Sequence, residues 1–205
     1  LDRQRFKEVT GRDYFKQVKA GIRAALEIGF TPVKINVVVM RGVNDDELLA
    51  FAELTKKYPI HVRFIEYMPI GSSSIWNPAD MVSGAQIIEQ ISTQMADLEP
   101  VVSGLGGPAR LYRLPGAPGK IGVITAMSSH FCDSCNRIRV TADGHLRACL
   151  LSDNEFDLRE ALRAGEDPEK IVEIVRLAVA AKSAEHGLAC NATRKCTRVM
   201  STIGG

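Results

Sequence analysis

Several features that would quickly assign a chain to a functional class are absent from this sequence. No apolar run approaches the roughly 20 residues that a membrane-spanning helix needs, and no secretory signal opens the chain. The formal net charge of +2 is too small to indicate a nucleic-acid or membrane partner. Internal repeats and low-complexity tracts are also absent. We therefore expect no nucleic acid and no membrane among its partners.

Cysteine is sparse, and its arrangement argues against a disulfide scaffold. The chain has five cysteines, an odd number, and two of them stand in C-x2-C spacing. Small secreted domains instead carry an even set of paired cysteines. We therefore expect a reducing environment and a cytoplasmic location.

An initiator methionine is also missing, because the chain begins with Leu1. This start leads us to expect a fragment whose N-terminal part is not in the sequence. What is present is ordinary for a globular protein: 205 residues, of which 45% are hydrophobic and 24% are charged.

Helix and strand patterns alternate at the start of the chain. The predicted elements are a helix over Asp13–Glu27, a buried strand over Val33–Met40, a helix from Asn44 or Asp45 to about Lys57, and a strand over His61–Met68. Asp13 is the predicted N-cap of the first helix and Gly29 its predicted stop. This order is typical of βα units around a parallel sheet or barrel, of which only two strands are present.

The alternation of helix and strand patterns ends at Gly71, where we place a domain boundary. Ser83 is expected to cap a helix that reaches about Met95. A further strand over Ile121–Ala126 precedes a cysteine segment, and two helices follow that segment.

Three cysteines of that segment are the strongest chemical signal. Cys132, Cys135 and Cys149 have the spacing C-x2-C-x13-C. Two thiolates two residues apart can bind one metal centre from a single turn, and a third ligand must return from elsewhere. Residues 137–149 are typical of a hairpin with Ala-Asp-Gly at its tip, which provides that return.

The register of this hairpin is a test of the metal site. A three-residue loop with a left-handed Gly144 gives the pairs Thr141–His145, Arg139–Arg147 and Arg137–Cys149. Side chains 137, 139 and 149 then share one face of the hairpin. A two-residue Asp-Gly turn would place Cys149 on the opposite face.

Zinc and an iron–sulfur cluster both fit the cysteine spacing. Structural zinc needs four protein ligands, and no fourth Cys or His shows the usual paired spacing, although His130 and His145 are candidates. Three thiolates with one open position suit a cluster whose remaining iron accepts a substrate atom. Arg137 and Arg139 suit a phosphate or polar nucleobase, although a solvated basic strand would look the same.

Four stretches, in order along almost the whole chain, resemble the molybdenum cofactor biosynthesis protein A family, the radical S-adenosylmethionine enzyme GTP 3′,8-cyclase. They are VKINVVVMRGVN at 33–44, RFIEYMPIG at 63–71, CNRIRVTADG at 135–144 with the later Cys149, and MSTIGG at 200–205. The resemblance implies that a 5′-deoxyadenosyl radical abstracts a ribose hydrogen from GTP, after which the sugar carbon attacks C8 of guanine. The product, 3′,8-cyclo-7,8-dihydroguanosine 5′-triphosphate, precedes cyclic pyranopterin monophosphate, so the enzyme acts ahead of cyclic pyranopterin monophosphate synthase.

The resemblance also assigns roles to individual residues. Cys132, Cys135 and Cys149 match the ligands of a C-terminal [4Fe-4S] cluster whose fourth iron contacts the guanine. The residues that match GTP-binding positions are Lys34, Arg137, Ile138 through its backbone, and Arg139. Met68 matches a residue lining the S-adenosylmethionine site. Gly204 and Gly205 match a tail that enters the active centre. Cys190 and Cys196 match no family ligand and are interpreted as ordinary thiols.

The sequence departs from the family pattern in one respect. The C-x3-C-x2-C motif that binds the radical-generating [4Fe-4S] cluster and S-adenosylmethionine has no counterpart here. We therefore expect this chain to hold the second cluster and part of the GTP pocket, without catalysis on its own. A homodimer is a further expectation, since the family tends toward dimers.

The expected fold class is α/β. Residues 1–71 would form the last βα units of an incomplete TIM-like barrel, and residues 72–205 a small α+β domain carrying the cluster and substrate. The alternatives are a zinc-stabilised binding module, the auxiliary-cluster domain of another radical S-adenosylmethionine enzyme, and an unstable fragment with open strand edges.

Overall fold

The computed structural model describes residues 2–71, 76–102, 107–165, 167–186 and 196–203. The chain divides into two compact units. The first unit comprises residues 1–67 and 79–129, and the second comprises residues 68–78 and 130–205. Each unit is described by itself below.

The first unit is a mixed sheet with helices. Its described elements are α1 (Arg3–Thr10), α2 (Phe15–Ile28), β1 (Val33–Val39), α3 (Leu48–Lys57), β2 (Ile60–Glu66), α4 (Gly84–Gln94), β3 (Glu99–Val101), β4 (Arg110–Arg113) and β5 (Lys120–Ile124). The strand order is β1-β2-β5-β4-β3, in which β1, β2 and β5 are parallel and β4 and β3 are antiparallel. The expected α/β class is therefore confirmed as a mixed α/β fold.

One face of this sheet forms the core of the first unit. Val37 and Val39 of β1 and Phe64 of β2 are buried, together with Ile87 and Ile91 of α4. Alternate residues of β1 are exposed, including Val38, because successive side chains of a strand point to opposite faces. The prediction of a buried strand over Val33–Met40 was therefore wrong for the face that carries Val38.

Local sequence signals locate some helix ends and miss others. Gly29 ends α2 in the left-handed conformation, with a φ of 92°, and Ser83 caps α4 through a capping box with Gln86. Asp13 is not the N-cap of α2, because its carboxylate forms a two-pronged ion pair with Arg3 at 2.9 and 2.7 Å. Tyr14 occupies the N-cap position instead.

Glu66, the last residue of β2, is fully buried and accepts four hydrogen bonds. One carboxylate oxygen accepts the backbone N–H of Gly84 at 2.7 Å and the hydroxyl of Ser128. The other accepts the backbone N–H groups of Met127 and Ser128 at 2.7 and 2.9 Å. Glu66 thereby holds the end of β2 to the start of α4 and to the loop after β5.

The second unit combines a small antiparallel sheet with two helices. Its described elements are β6 (Arg139–Val140), β7 (His145–Arg147), β8 (Phe156–Asp157), α5 (Arg159–Arg163) and α6 (Pro168–Ala180). The strand order is β6-β7-β8. Leu146 of β7 is buried against Leu158 and Ala178, so α6 packs on the sheet.

Residues 196–203, which we call the C-terminal segment, are tied to both sequence portions of the second unit. Cys196 forms a parallel β-bridge with Ile70, and Gly71 donates its N–H to the Cys196 carbonyl at 3.0 Å. Arg198 pairs with both carboxylate oxygens of Asp143 at 3.0 Å and with Glu155 at 2.7 Å. The segment is thus fastened to the hairpin tip.

None of the helices in the described ranges has the length and apolar character that crossing a membrane requires.

Candidate metal site

Cys132 and Cys135 lie on one short turn. Cys132–Ser134 form a single 3₁₀ turn, closed by a hydrogen bond from the Cys135 N–H to the Cys132 carbonyl at 3.0 Å. Both thiols are half-buried. The C-x2-C spacing therefore presents two sulfurs from one turn, as the sequence predicts.

The hairpin that brings back the third cysteine has the predicted register. Arg139 pairs with Arg147, and the Thr141 N–H donates to the His145 carbonyl at 2.8 Å. Gly144 adopts the left-handed conformation, with a φ of 85°, and donates to the Thr141 carbonyl at 3.0 Å. The three-residue loop is confirmed, and Cys149 follows β7 by two residues.

The three cysteines open onto one cavity of about 310 Å³. Its walls are formed by Cys132, Cys135, Ala148, Cys149, Leu151, Ser152, Asn154, Ala181, Lys182, Ser183, Glu185 and His186. All of these residues belong to the second unit. The cavity therefore joins the cysteine turn, the residues after β7 and the residues after α6.

The two cysteines of the turn have different proton affinities. Burial raises the pKa of the Cys132 thiol, and its neighbours Cys149 and Cys135 add to that rise. Burial also acts on Cys135, but hydrogen bonds from the Arg137 backbone and from Lys182, together with the charge of Lys182, lower its pKa overall. A lowered thiol pKa favours the thiolate, which is the form that binds metals.

The three cysteine thiols are a donor set compatible with a cluster. Among the residues that the structure describes, no group of three His, Cys, Asp or Glu side chains converges on one ion position. A cluster does not require such convergence, because each cysteine binds a different iron atom. Three thiols around one cavity, with a cation beside one of them, are therefore compatible with a cluster.

The residues Arg137–Arg139 follow the turn directly. The Arg137 guanidinium lies over the Phe131 ring at 5.7 Å, and the Ile138 side chain is 43% exposed. Burial lowers the pKa of Arg139, and the like charge of Arg137 lowers it further. Two neighbouring cations of this kind favour an anionic ligand.

Lys34 lies in the first unit, on the polar face of its sheet. It is exposed and pairs with His61, which in turn pairs with Lys120. Burial lowers the pKa of His61, and the charges of Lys120 and Lys34 lower it further. Two residues further along these strands, Asn36 pairs with Arg63, and the Arg63 Nε donates to the Asn36 side-chain oxygen at 2.8 Å. Strand register thus gathers basic residues that the sequence analysis did not connect with Lys34.

The remaining residues singled out in the sequence do not line the cysteine cavity or lie outside the described residues. Met68 is half-buried in the second unit. Gly204, Gly205 and Cys190 lie outside the described residues. Cys196 is buried and accepts a hydrogen bond from the Arg147 guanidinium at 3.1 Å, away from the cavity lining.

Three charged residues, to which the sequence analysis assigned no functional role, make polar contacts within the second unit. Lys182 contacts Cys135 directly, and Arg147, fully buried, pairs with Glu155 at 2.8 Å. Glu155 also pairs with Arg198. The partners of Lys182 lie 45 and 47 positions earlier in the sequence, and Arg198 lies 43 positions after Glu155, so local spacing does not indicate these contacts.

Comparison with known proteins gives a family match across much of the chain. The family model described as Molybdenum Cofactor Synthesis C matches residues 60–188, which include the three cysteines and both arginines. The chain belongs to this family. The resemblance noted in the sequence is thereby confirmed for the Molybdenum Cofactor Synthesis C region.

Individual relatives extend the match over almost the whole chain. The chain is 47% identical to "GTP 3',8-cyclase" of Alkaliphilus metalliredigens over 98% of its own length and 61% of that relative. It is 46% identical to the protein of the same name from Moorella thermoacetica, over 100% of its length and 62% of the relative. "Molybdenum cofactor biosynthesis protein 1" of Homo sapiens is 44% identical over 89% of the chain and 28% of the relative. The chain thus spans about three fifths of the bacterial relatives.

Proposed function

We propose that this chain is the cluster-binding and GTP-binding part of a radical S-adenosylmethionine GTP 3′,8-cyclase of molybdenum cofactor biosynthesis. The observation that supports the proposal most directly is the cavity onto which Cys132, Cys135 and Cys149 all open. The names of the relatives favour this role over that of another radical S-adenosylmethionine enzyme.

In this proposal the three cysteines hold a [4Fe-4S] cluster. A cluster bound by three cysteines supplies one iron that is open to a substrate atom. The chain supplies the shape and charge around it. The lowered pKa of Cys135 favours the thiolate, which is the form that binds metal. The turn at 132–134 fixes the spacing of Cys132 and Cys135.

Substrate binding would use the basic residues. Arg137 and Arg139 offer paired donors to a phosphate or to the polar edge of a guanine, with the Ile138 N–H between them. Lys34 offers a point charge on the basic face of its own sheet. Met68 offers an apolar flank for an adenosyl group, and Gly204 and Gly205 a narrow tail without side chains.

β1 and β2 would be the last βα units of an incomplete barrel, in a cytoplasmic enzyme that acts ahead of cyclic pyranopterin monophosphate synthase. Because the sequence contains no C-x3-C-x2-C motif, we expect the 205-residue chain to bind GTP without cyclising it.

Metal analysis of the anaerobically purified chain tests the proposal. After reconstitution with iron and sulfide, we expect about four iron and four sulfide per chain with visible absorption. Cys149→Ser should lose most of this iron, whereas Cys190→Ser, at a cysteine outside the ligand set, should keep it. GTP titration of the loaded chain then tests substrate binding, which Arg139→Met should weaken about tenfold relative to Arg163→Met.

A zinc-stabilised binding module is the second candidate. It is favoured by His186, which lines the cysteine cavity and stacks edge-on against His130 at 5.1 Å. His145 is not part of that lining, because its ring lies between Asp143 and Asp157 at 3.4 and 3.6 Å. Stoichiometric zinc without visible absorption after iron reconstitution would contradict the cluster and leave this module.

A further inference from the structure

Lys182 follows α6 and reaches back to the cysteine turn. Its N–H donates to the Val179 carbonyl at 3.1 Å, so the residue continues the end of the helix. Its ammonium has three acceptors: the Cys135 carbonyl at 2.7 Å, the Arg137 carbonyl at 2.9 Å and the Cys135 sulfur at 3.3 Å. An ammonium has three N–H bonds, so the three acceptors use all the donors of Lys182 at the same time.

The contact with the Arg137 carbonyl fixes a peptide plane. The bond between Arg137 and Ile138 is trans, and in a trans peptide the C=O and the following N–H point in opposite directions. Because Lys182 holds the Arg137 carbonyl, the Ile138 N–H is directed away from Lys182. The orientation of the Ile138 N–H therefore depends on a side chain 44 positions later, at the end of another element.

The contact with the Cys135 sulfur places a positive charge beside a candidate metal ligand. Hydrogen bonds and charges near the sulfurs set the reduction potential of an iron–sulfur cluster. A cation stabilises the reduced state more than the oxidised state, because the reduced cluster carries one more negative charge. Lys182 therefore acts on both the shape and the charge of the site.

We propose that Lys182 is a positioning residue that orients the Ile138 N–H for substrate and raises the reduction potential of the cluster through Cys135. The inference deepens the proposed function and rests on it.

The first test measures the cluster itself. Lys182→Met should lower the reduction potential of the iron-loaded chain, measured by electron paramagnetic resonance during a redox titration. We expect an approximately tenfold change in the equilibrium between the oxidised and reduced cluster, or ~59 mV for one electron. Lys182→Arg, which keeps the charge, should restore most of the shift. Lys170→Met, at an exposed position on α6, should leave the potential unchanged.

A fully loaded Lys182→Met chain with the wild-type potential would overturn the inference. Circular dichroism shows whether the variant folds. Should Lys182→Met fail to fold or to hold iron, Lys182→Gln retains side-chain donors without the charge. A wild-type potential in a loaded Lys182→Gln chain would overturn the inference equally.

The second test does not depend on iron. In the metal-free chain, amide hydrogen exchange of a peptide covering 132–139 should be at least about fivefold faster in Lys182→Met than in Lys170→Met. Equal exchange in the two variants would overturn the positioning role. A wild-type chain that binds no iron would contradict the proposed function, while this comparison would still decide whether Lys182 holds the turn.

Discussion

Glu66 and Lys182 show how one charged side chain can organise the backbone around it. Glu66 accepts from three backbone N–H groups and a hydroxyl, and Lys182 donates to two carbonyls and a sulfur. Both contact residues that are distant in sequence. A charge that is saturated in this way holds loops in one conformation, because moving any partner leaves a polar atom without its bond.

The fully buried carboxylate gives a sharp prediction for stability. In Glu66→Gln the new amide N–H₂ would face N–H donors, so at least one hydrogen bond becomes a repulsive contact. We expect a loss of about 1–3 kcal/mol in the free energy of unfolding, measured by urea denaturation. Glu89→Gln makes the same substitution at an exposed site on α4 and should change stability by less than about 0.5 kcal/mol. Equal effects of the two substitutions would contradict the role of Glu66.

At the scale of elements, local sequence chemistry predicted some features and tertiary contacts decided the others. The Ala-Asp-Gly tip predicted the correct hairpin register, and Ser83 predicted the correct start of α4, since both features depend on residues close in sequence. Asp13 looked like an N-cap, but Arg3 recruits its carboxylate.

The same reasoning explains how far the candidate site could be predicted. Cysteine spacing and hairpin register depend on short stretches of sequence. The proximity of the three cysteines, which line one cavity, could therefore be predicted. Lys182 stands 47 positions after Cys135, and no helical or strand period connects them. Lys34, His61 and Lys120 lie side by side on adjacent parallel strands, and this arrangement can be inferred only when the strand register is known.

The contact between the hairpin tip and the C-terminal segment predicts a dependence on acid. Hydrogen bonds from Arg198 and Thr141 hold the pKa of Asp143 well below its usual range. A carboxylate with a lowered pKa in the folded state stabilises the protein above its unfolded pKa of about 3.9, and that contribution is lost as pH falls through the folded pKa. The advantage of the wild type over Asp143→Asn should therefore be constant from about pH 5 to 8 and shrink below about pH 4.

Unfolding midpoints of the two chains across this pH range measure that advantage. Asp97→Asn, at an exposed aspartate of the first unit, should match the wild type throughout. An advantage that persists undiminished at the lowest pH would show that ionised Asp143 is not its source.

At the scale of the whole molecule, the two units should respond differently to metal. All three candidate ligands lie in the second unit, and the free energy of metal binding becomes folding free energy for the structure that contains the ligands. Iron loading should therefore slow amide hydrogen exchange in peptides from 130–165 by about tenfold or more, with little change in peptides from β1 and β2. Mass spectrometry of loaded and chelated chains measures both regions together, and equal slowing in the two would contradict this assignment.

The C-terminal segment has a consequence for the order in which the protein is made. A ribosome synthesises every residue of the first unit before residue 130, and N-terminal units generally fold first during synthesis. The second unit is closed by the bridge between Ile70 and Cys196 and by the contact of Arg198 with Asp143, so Ile70 pairs with a residue made more than a hundred positions later. The contacts that complete the second unit can therefore form only after residues 196–198 have been synthesised.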